Sequence, residues 1–175
     1  MAVYEFEGKK PKLGVGCFIM ESASVIGNVE LGPNCYVGPG ASIRGDYGKI
    51  IIGEGTCIED NCTVHARPDD VCTVGNNVTI GHNAVIHNCT IEDYAIIGMG
   101  AIVSDWAIVR RWAVVAEGAV VKNRQEIPER SIAVGVPAKV IGQVNEEFIK
   151  QWDYYKATYA ELASRRYPAG LKRIL

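Results

Sequence analysis

The aliphatic residues of this chain recur every six positions. Leu13, Ile19, Val25, Leu31, Val37 and Ile43 open the series. Ile52, Ile58 and Val64 resume it after one insertion, and Val74, Ile80 and Ile86 after a second. One interval is short by a residue, and the run then continues through Ile91, Ile97, Val103, Val109, Val115 and Val121, eighteen anchors in all. Four positions after most anchors stands a small or β-branched residue, among them Cys17, Ala23, Cys35, Ala41, Thr56, Cys62, Ala84, Ala95, Ala101 and Ala119. A period of six is not the 3.6 of an amphipathic helix. It predicts short strands joined by tight corners, with the anchor filling the interior and the small residue where the chain bends. Glycines such as Gly32, Gly53, Gly75, Gly81 and Gly98 follow anchors and suit those corners. Three hexads close one triangular coil, so the pattern predicts an all-β solenoid of about six coils.

After the repeat the period changes. Asn145 is placed to cap a helix, with Glu146 and Glu147 near its positive end. Phe148, Trp152, Tyr155, Tyr159 and Leu162 then step by four and three, an apolar stripe expected to pack along the prism wall. The expected organisation is a single domain over 1–175, with the solenoid and its closing segment over 11–142 and a C-terminal helix over 145–165.

Composition narrows the function classes. The chain has 175 residues and a net charge of −2, without a basic stripe, so a nucleic-acid partner is not expected. Met1 to Lys10 is polar, and no apolar stretch is long enough to span a bilayer, which predicts a cytoplasmic protein without a membrane partner. Six cysteines contain no Cys-x-x-Cys pair and are expected to be reduced structural thiols, several of them in the small interior slots.

The three histidines fall on the lattice. With the insertion at 66–73 discounted, Val64 and Ile86 lie three hexads apart, on one face and one coil above the other. His65 and His87 each follow by one residue, so both are predicted to point outward and stack at about 4.8 Å. Two such imidazoles can each approach one zinc ion at roughly 2.0–2.1 Å. His82 follows Ile80 by two and belongs to the preceding face, across a corner from His87. One chain is therefore expected to keep it apart, and a homotrimer to bring it to the neighbour's pair, giving three sites each shared by two chains. The plainer alternative for each histidine is a surface or capped core residue.

Other polar residues share this register. Arg44 stacks on the histidine face one coil before His65, and with Asp46 it forms either a charge-assisted pair across the subunit boundary or a salt-bridge network without chemistry. Glu59 falls on the His82 face one coil earlier, beside the metal or merely structural. Tyr159, on the helix stripe, either packs along the wall or serves the site.

The hexapeptide period and the segment 132–142 resemble the left-handed parallel β-helix superfamily, and the handedness follows from that resemblance. More specifically, Arg44-Gly45-Asp46, Ile58-Glu59-Asp60-Asn61, Val64-His65, Ile80-Gly81-His82-Asn83 and Ile86-His87-Asn88-Cys89 together resemble the γ-class carbonic anhydrase family. The resemblance extends to its short members, the ferripyochelin-binding-protein-like and the phenylacetate- and carnitine-operon proteins. It implies His65, His82 and His87 as metal ligands, zinc as the default metal with iron or cobalt as alternatives, and an interface organised by Arg44 and Asp46. The implied activity is zinc-dependent hydration of carbon dioxide to bicarbonate, a lyase reaction, with Glu59 orienting the hydroxide. Two departures stand out: Glu59 replaces a common Gln, and Cys57 a common Asn. The insertion Ala66 to Thr73 offers only Asp69 and Asp70 as proton shuttles, and solvated loop charges are the simpler expectation for both. Two rival readings remain: an acyl-CoA thioesterase or acyltransferase-like enzyme on the same metal site, distinguished by room for a pantetheine arm, and a non-enzymatic trimeric scaffold, distinguished by absence of turnover.

Overall fold

The computed structural model describes residues 2–174. Very short strands stack in register into a three-walled, left-handed parallel β-helix. The first wall runs through Phe18–Ile19, Tyr36–Val37, Cys57–Ile58, Thr79–Ile80, Ile96–Ile97, Val114–Val115 and Ser131–Val134. The second carries Ala2–Tyr4, the first halves of Ser24–Leu31 and Ser42–Ile52, then Thr63–His65, Val85–His87, Ile102–Val103 and Val120–Val121. The third carries Lys12–Leu13, the second halves of the same two long strands, then Val71–Val74, Thr90–Ile91, Ile108–Val109 and Glu126–Ile127.

The expected about six coils become about seven. The first wall alone has seven parallel rungs. The lattice continues beyond Val121 at Ile127 and Ala133, both fully buried, and Ala2–Tyr4 adds a rung before Leu13. The anchors fill the interior: Ile43, Ile58, Ile80, Ile86, Ile91, Ile97 and Ile127 are each less than 2 % exposed. Each contributes roughly 1.5–3 kcal/mol through removal from water. The glycines are constrained by the next coil, since a Cβ on Gly81 would stand 2.9 Å from the Ile97 carbonyl oxygen and from Met99 N.

Corners turn through left-handed backbone, where Asn is tolerated. Asn34, Asn61, Asn77, Asn83 and Asn88 take that conformation, and so do the bulky Tyr94, Trp106 and Trp112. Tyr94 and Trp112 stack ring on ring at 5.0 Å. Trp112 is almost fully covered; Trp106 is not.

Ser131–Val134 and Lys139–Gln143 form an antiparallel hairpin, as fits a closing segment. The Asn145 side chain accepts the Phe148 N–H at 2.8 Å and caps the helix Glu146–Glu161. A π-helical turn, Leu162–Arg166, and a short helix, Tyr167–Gly170, carry the helical path past the expected end at 165. The apolar stripe needs one correction. Tyr155 is 42 % exposed, whereas Lys156 is 7 % exposed and occupies the buried face with Ala163. A long aliphatic stem lets a lysine take an apolar position when its head finds partners, and the Lys156 ammonium donates to the Asn77 carbonyl at 2.7 Å. No helix among the described residues is long and apolar enough to cross a membrane.

Candidate functional site

The second wall places the predicted ladder. Arg44 pairs in register with His65, and His65 with His87. His65 Nδ1 stands 3.2 Å from His87 Nε2. The outer nitrogen of each ring meets a carboxylate: His65 Nε2 lies 2.9 Å from Asp46 Oδ1, and His87 Nδ1 lies 2.5 Å from Asp105 Oδ1. Arg44 pairs with Asp46 within the same chain, and Arg67 donates to Asp105 at 2.6 Å. Burial pulls both carboxyls upward, but the hydrogen bonds from His65 and Arg44 to Asp46, and from His87 and Arg67 to Asp105, outweigh it. Both sit below the usual aspartate range.

The pair fits a metal. Two nitrogens on one tetrahedral zinc at roughly 2.0–2.1 Å stand about 3.3 Å apart, close to the His65–His87 separation. Carboxylates behind both rings fix ring orientation and raise ligand basicity, as is usual at metal-bound imidazoles. The third expected donor lies elsewhere. Among the described residues no group of three His, Cys, Asp or Glu side chains is gathered to hold an ion.

His82 lies on the first wall's side, across the corner. Its Nε2 is 3.0 Å from Glu59 Oε2, and its backbone N–H donates to the same oxygen at 3.1 Å. Its Nδ1 accepts the Asp60 backbone N–H at 3.3 Å. That pattern assigns the proton to Nε2, facing Glu59, and the lone pair to Nδ1. Glu59 is 5 % exposed, and Tyr159 lies beside it. Burial first, then the Glu59 carboxylate, push the Tyr159 phenol well above its ordinary value, so it stays a neutral donor.

A groove of about 440 Å³ runs from Glu59 and His82 along the first wall. Its floor is Ile96, Val114 and Ile132, stacked in register on the outer side of the wall, its rim includes Met99, and the C-terminal helix supplies Phe148, Trp152 and Tyr159. A smaller depression lies on the third wall, around Thr90 and Arg111. Thus the structure brings His65, His87, Arg44 and Asp46 together on one face, and His82, Glu59 and Tyr159 on another.

Sequence reasoning missed Asp105 and the groove. Asp105 falls one coil above Asn88, so register alone would have put it near His87. It also misjudged Asp70, which is not merely solvated: its Oδ2 accepts from Asn88 at 2.8 Å and from Trp106 Nε1 at 2.9 Å. The Asn88 bond is the largest of the effects that hold Asp70 below its usual range.

Comparison with known proteins bears on the chemistry. The family model "Bacterial transferase hexapeptide (six repeats)" matches residues 10–45 and 71–105. Two crystal structures share the whole architecture. A Bacillus cereus protein provisionally described as an acetyltransferase superposes with a TM-score of 0.91 at 32% identity, over 93% of this chain and 95% of its own. A hexapeptide transferase family protein from Anaplasma phagocytophilum gives 0.88 at 33% identity, over 93% and 96%. The carnitine operon protein CaiE of Escherichia coli O157:H7 is 43% identical over 77 residues, 44% of this chain. That match spans only 39% of the curated relative's length.

These relatives overturn the expected carbonic anhydrase. The family model and the two solved structures are described as transferases, and none of these descriptions names a zinc lyase. The geometry adds a physical reason: a carbon dioxide molecule has no use for a groove of about 440 Å³.

Proposed function

Since the chain belongs to the hexapeptide-repeat transferase family, we propose that it transfers an acyl group from an acyl thioester, such as an acyl-coenzyme A, to an amine or hydroxyl acceptor beside His82. The observation that carries this reading is the His82–Glu59 pair at the mouth of an apolar groove. Ligand sites are typically concave and mostly apolar, with a few polar groups that fix orientation. The groove supplies the room for a pantetheine arm or acyl chain that distinguishes this chemistry from its rivals.

The residues divide the work. Glu59 holds the Nε2 proton of His82 and fixes the ring, and the Nδ1 lone pair, once it gives up its long 3.3 Å bond from the Asp60 N–H, takes the proton from the acceptor as it attacks the thioester carbonyl. The new C–N or C–O bond forms, the C–S bond breaks, and His82 returns the proton to the leaving thiolate. Tyr159, neutral and adjacent, donates to Glu59 or to a polar group of the substrate. The floor of Ile96, Val114 and Ile132 excludes water from the thioester.

A second reading concerns the other histidine face, and the bite of 3.2 Å between His65 and His87 favours it. His65 and His87 of one subunit, with His82 of a neighbour in a homotrimer, would hold zinc, or iron or cobalt in its place. Bound there, the metal would polarise a carbonyl as a Lewis acid. Arg44 and Asp46 then brace His65 rather than touch substrate.

The test follows thiol release from acetyl- and longer acyl-coenzyme A, with panels of amine and hydroxyl acceptors, on protein whose metal content has been measured. Acceptor-dependent thiol release that is lost in Glu59→Gln supports the transferase. Release to water alone would replace it with a thioesterase. A folded, metal-loaded protein that neither binds coenzyme A nor releases thiol would leave only the scaffold.

A further inference from the structure

Five of the six cysteines are buried, and Cys17 is only partly so. Two pairs of them stack on adjacent coils at the same interior slot. Cys17 and Cys35 precede the paired strands Phe18–Ile19 and Tyr36–Val37, and Phe18 N donates to the Cys35 carbonyl at 2.9 Å. Cys72 and Cys89 precede the paired residues Thr73 and Thr90, and Thr73 N donates to the Cys89 carbonyl, also at 2.9 Å. In-register neighbours on parallel strands lie about 4.8 Å apart, inside the roughly 4.4–6.8 Å Cα range of disulfides. Covalent reach is therefore alike in the two pairs, and access is not: Cys72 is 0 % and Cys89 2 % exposed.

We infer that Cys17 and Cys35 form a redox-active dithiol, with Cys17 as the attacking thiol and Cys35 as the resolving one, oxidised by hydrogen peroxide. The Cys17 and Cys35 sulfurs donate to the Gly32 and Gly53 carbonyls, each at 3.0 Å. The Cys35 thiol is the largest influence on Cys17 and brings it down to about 7 against the pull of burial, while Cys35 itself is pushed far up. Thiolate at neutral pH on a partly exposed cysteine is the usual setting of a reactive thiol. The first step forms an S–O bond on Cys17, breaks the peroxide O–O bond and releases one water. In the second, the Cys35 sulfur attacks the Cys17 sulfur, the S–S bond forms and the second water leaves. Two thiols lose two electrons and one peroxide gains them.

The experiment treats the fully reduced, full-length chain with equimolar hydrogen peroxide and maps the products by mass spectrometry. A Cys17–Cys35 disulfide is expected, with Cys72 and Cys89 still alkylatable after denaturation. Cys35→Ser is expected to leave Cys17 as a sulfenic acid that a dimedone probe captures, and Cys72→Ser to change nothing. Oxidation is expected to raise the unfolding midpoint by about 5–10 °C, because the bridge closes a loop of moderate length in the unfolded chain. A first-formed bridge at Cys72–Cys89, or a Cys17 that stays reduced in both wild type and Cys35→Ser, would overturn the inference.

Discussion

The two histidine-bearing faces are built on one lattice yet hold their imidazoles for different ends. On the second wall every ring nitrogen is engaged: Asp46 and Asp105 take the outer nitrogens, and the inner two face each other. On the first wall a single imidazole, held by Glu59 on one nitrogen and more loosely by the Asp60 N–H on the other, stands beside an apolar groove. The difference comes from what covers each wall. The C-terminal helix lies along the first and lends it Phe148, Trp152 and Tyr159, while the second is bordered by charged side chains. A solenoid repeats its scaffold but not its surroundings, so chemistry is decided by what packs outside the coil.

The comparison is broken most directly by moving one substitution between the faces. His82→Asn is expected to lower acyl transfer by about 10²–10⁴-fold, the typical contribution of a positioned general base, while coenzyme A still binds the groove. His65→Asn is expected to leave that binding intact and to lower bound zinc instead. Steady-state rates, calorimetric coenzyme A binding and metal content, measured on both variants, separate the faces. Equal losses of binding in the two variants would mean that the faces act as one site.

A sharper cut falls behind the ladder. Asp105→Asn keeps the shape but removes the charge behind His87 Nδ1. If His65 and His87 hold a metal, zinc affinity is expected to fall roughly 10–100-fold, as for other carboxylate partners of metal-bound imidazoles. An unchanged affinity in a chelator competition would mark Asp46, Asp105, Arg44 and Arg67 as a salt-bridge network only.

The sequence made one of these faces far more legible than the other. Period six located the anchors, and adding one residue to Val64 and Ile86 placed His65 and His87 in register. The same count put Glu59 and His82 together across the corner. The groove was out of reach because its far side comes from a helix whose docking depends on tertiary contacts. The stripe read through Tyr155 missed Lys156, since a charged residue carries no apolar signal even when its stem is buried.

The groove itself can be narrowed. Met99 sits on its rim and is 53 % exposed, so Met99→Trp adds bulk with little strain on the core. The expected result is a KM for long acyl thioesters raised about 10-fold, on the order of 1–3 kcal/mol for overfilling a packed space, with kcat nearly unchanged. A smaller effect on acetyl than on longer chains would place the acyl chain, rather than the pantetheine arm, beside Met99. Equal effects on all thioesters would reverse that assignment.

The smallest effect concerns how firmly the helix closes that groove. Lys156 Nζ donates to the Asn77 carbonyl at 2.7 Å and to Thr79 Oγ1 at 3.3 Å, and lies 5.8 and 5.7 Å from the Trp112 and Trp152 rings. Burial dominates and brings the amine down to about 7, with only partial compensation from Asp153. The exposed amine of the unfolded chain titrates at about 10.4. Between those values the unfolded chain binds more protons than the native one, so stability rises with pH from about 7 toward 10 and is flat with respect to this group below 7. Cys57 is pushed far above its ordinary value and stays neutral through the lower part of that window. Lys156→Met keeps the stem and removes the proton. Its unfolding midpoint is expected to exceed wild type by a few degrees at pH 7, and the gap to narrow as pH rises to 9. Parallel midpoints for the two proteins across that range would show that the docked helix holds Lys156 as a paired ammonium, and that closure of the groove does not respond to pH.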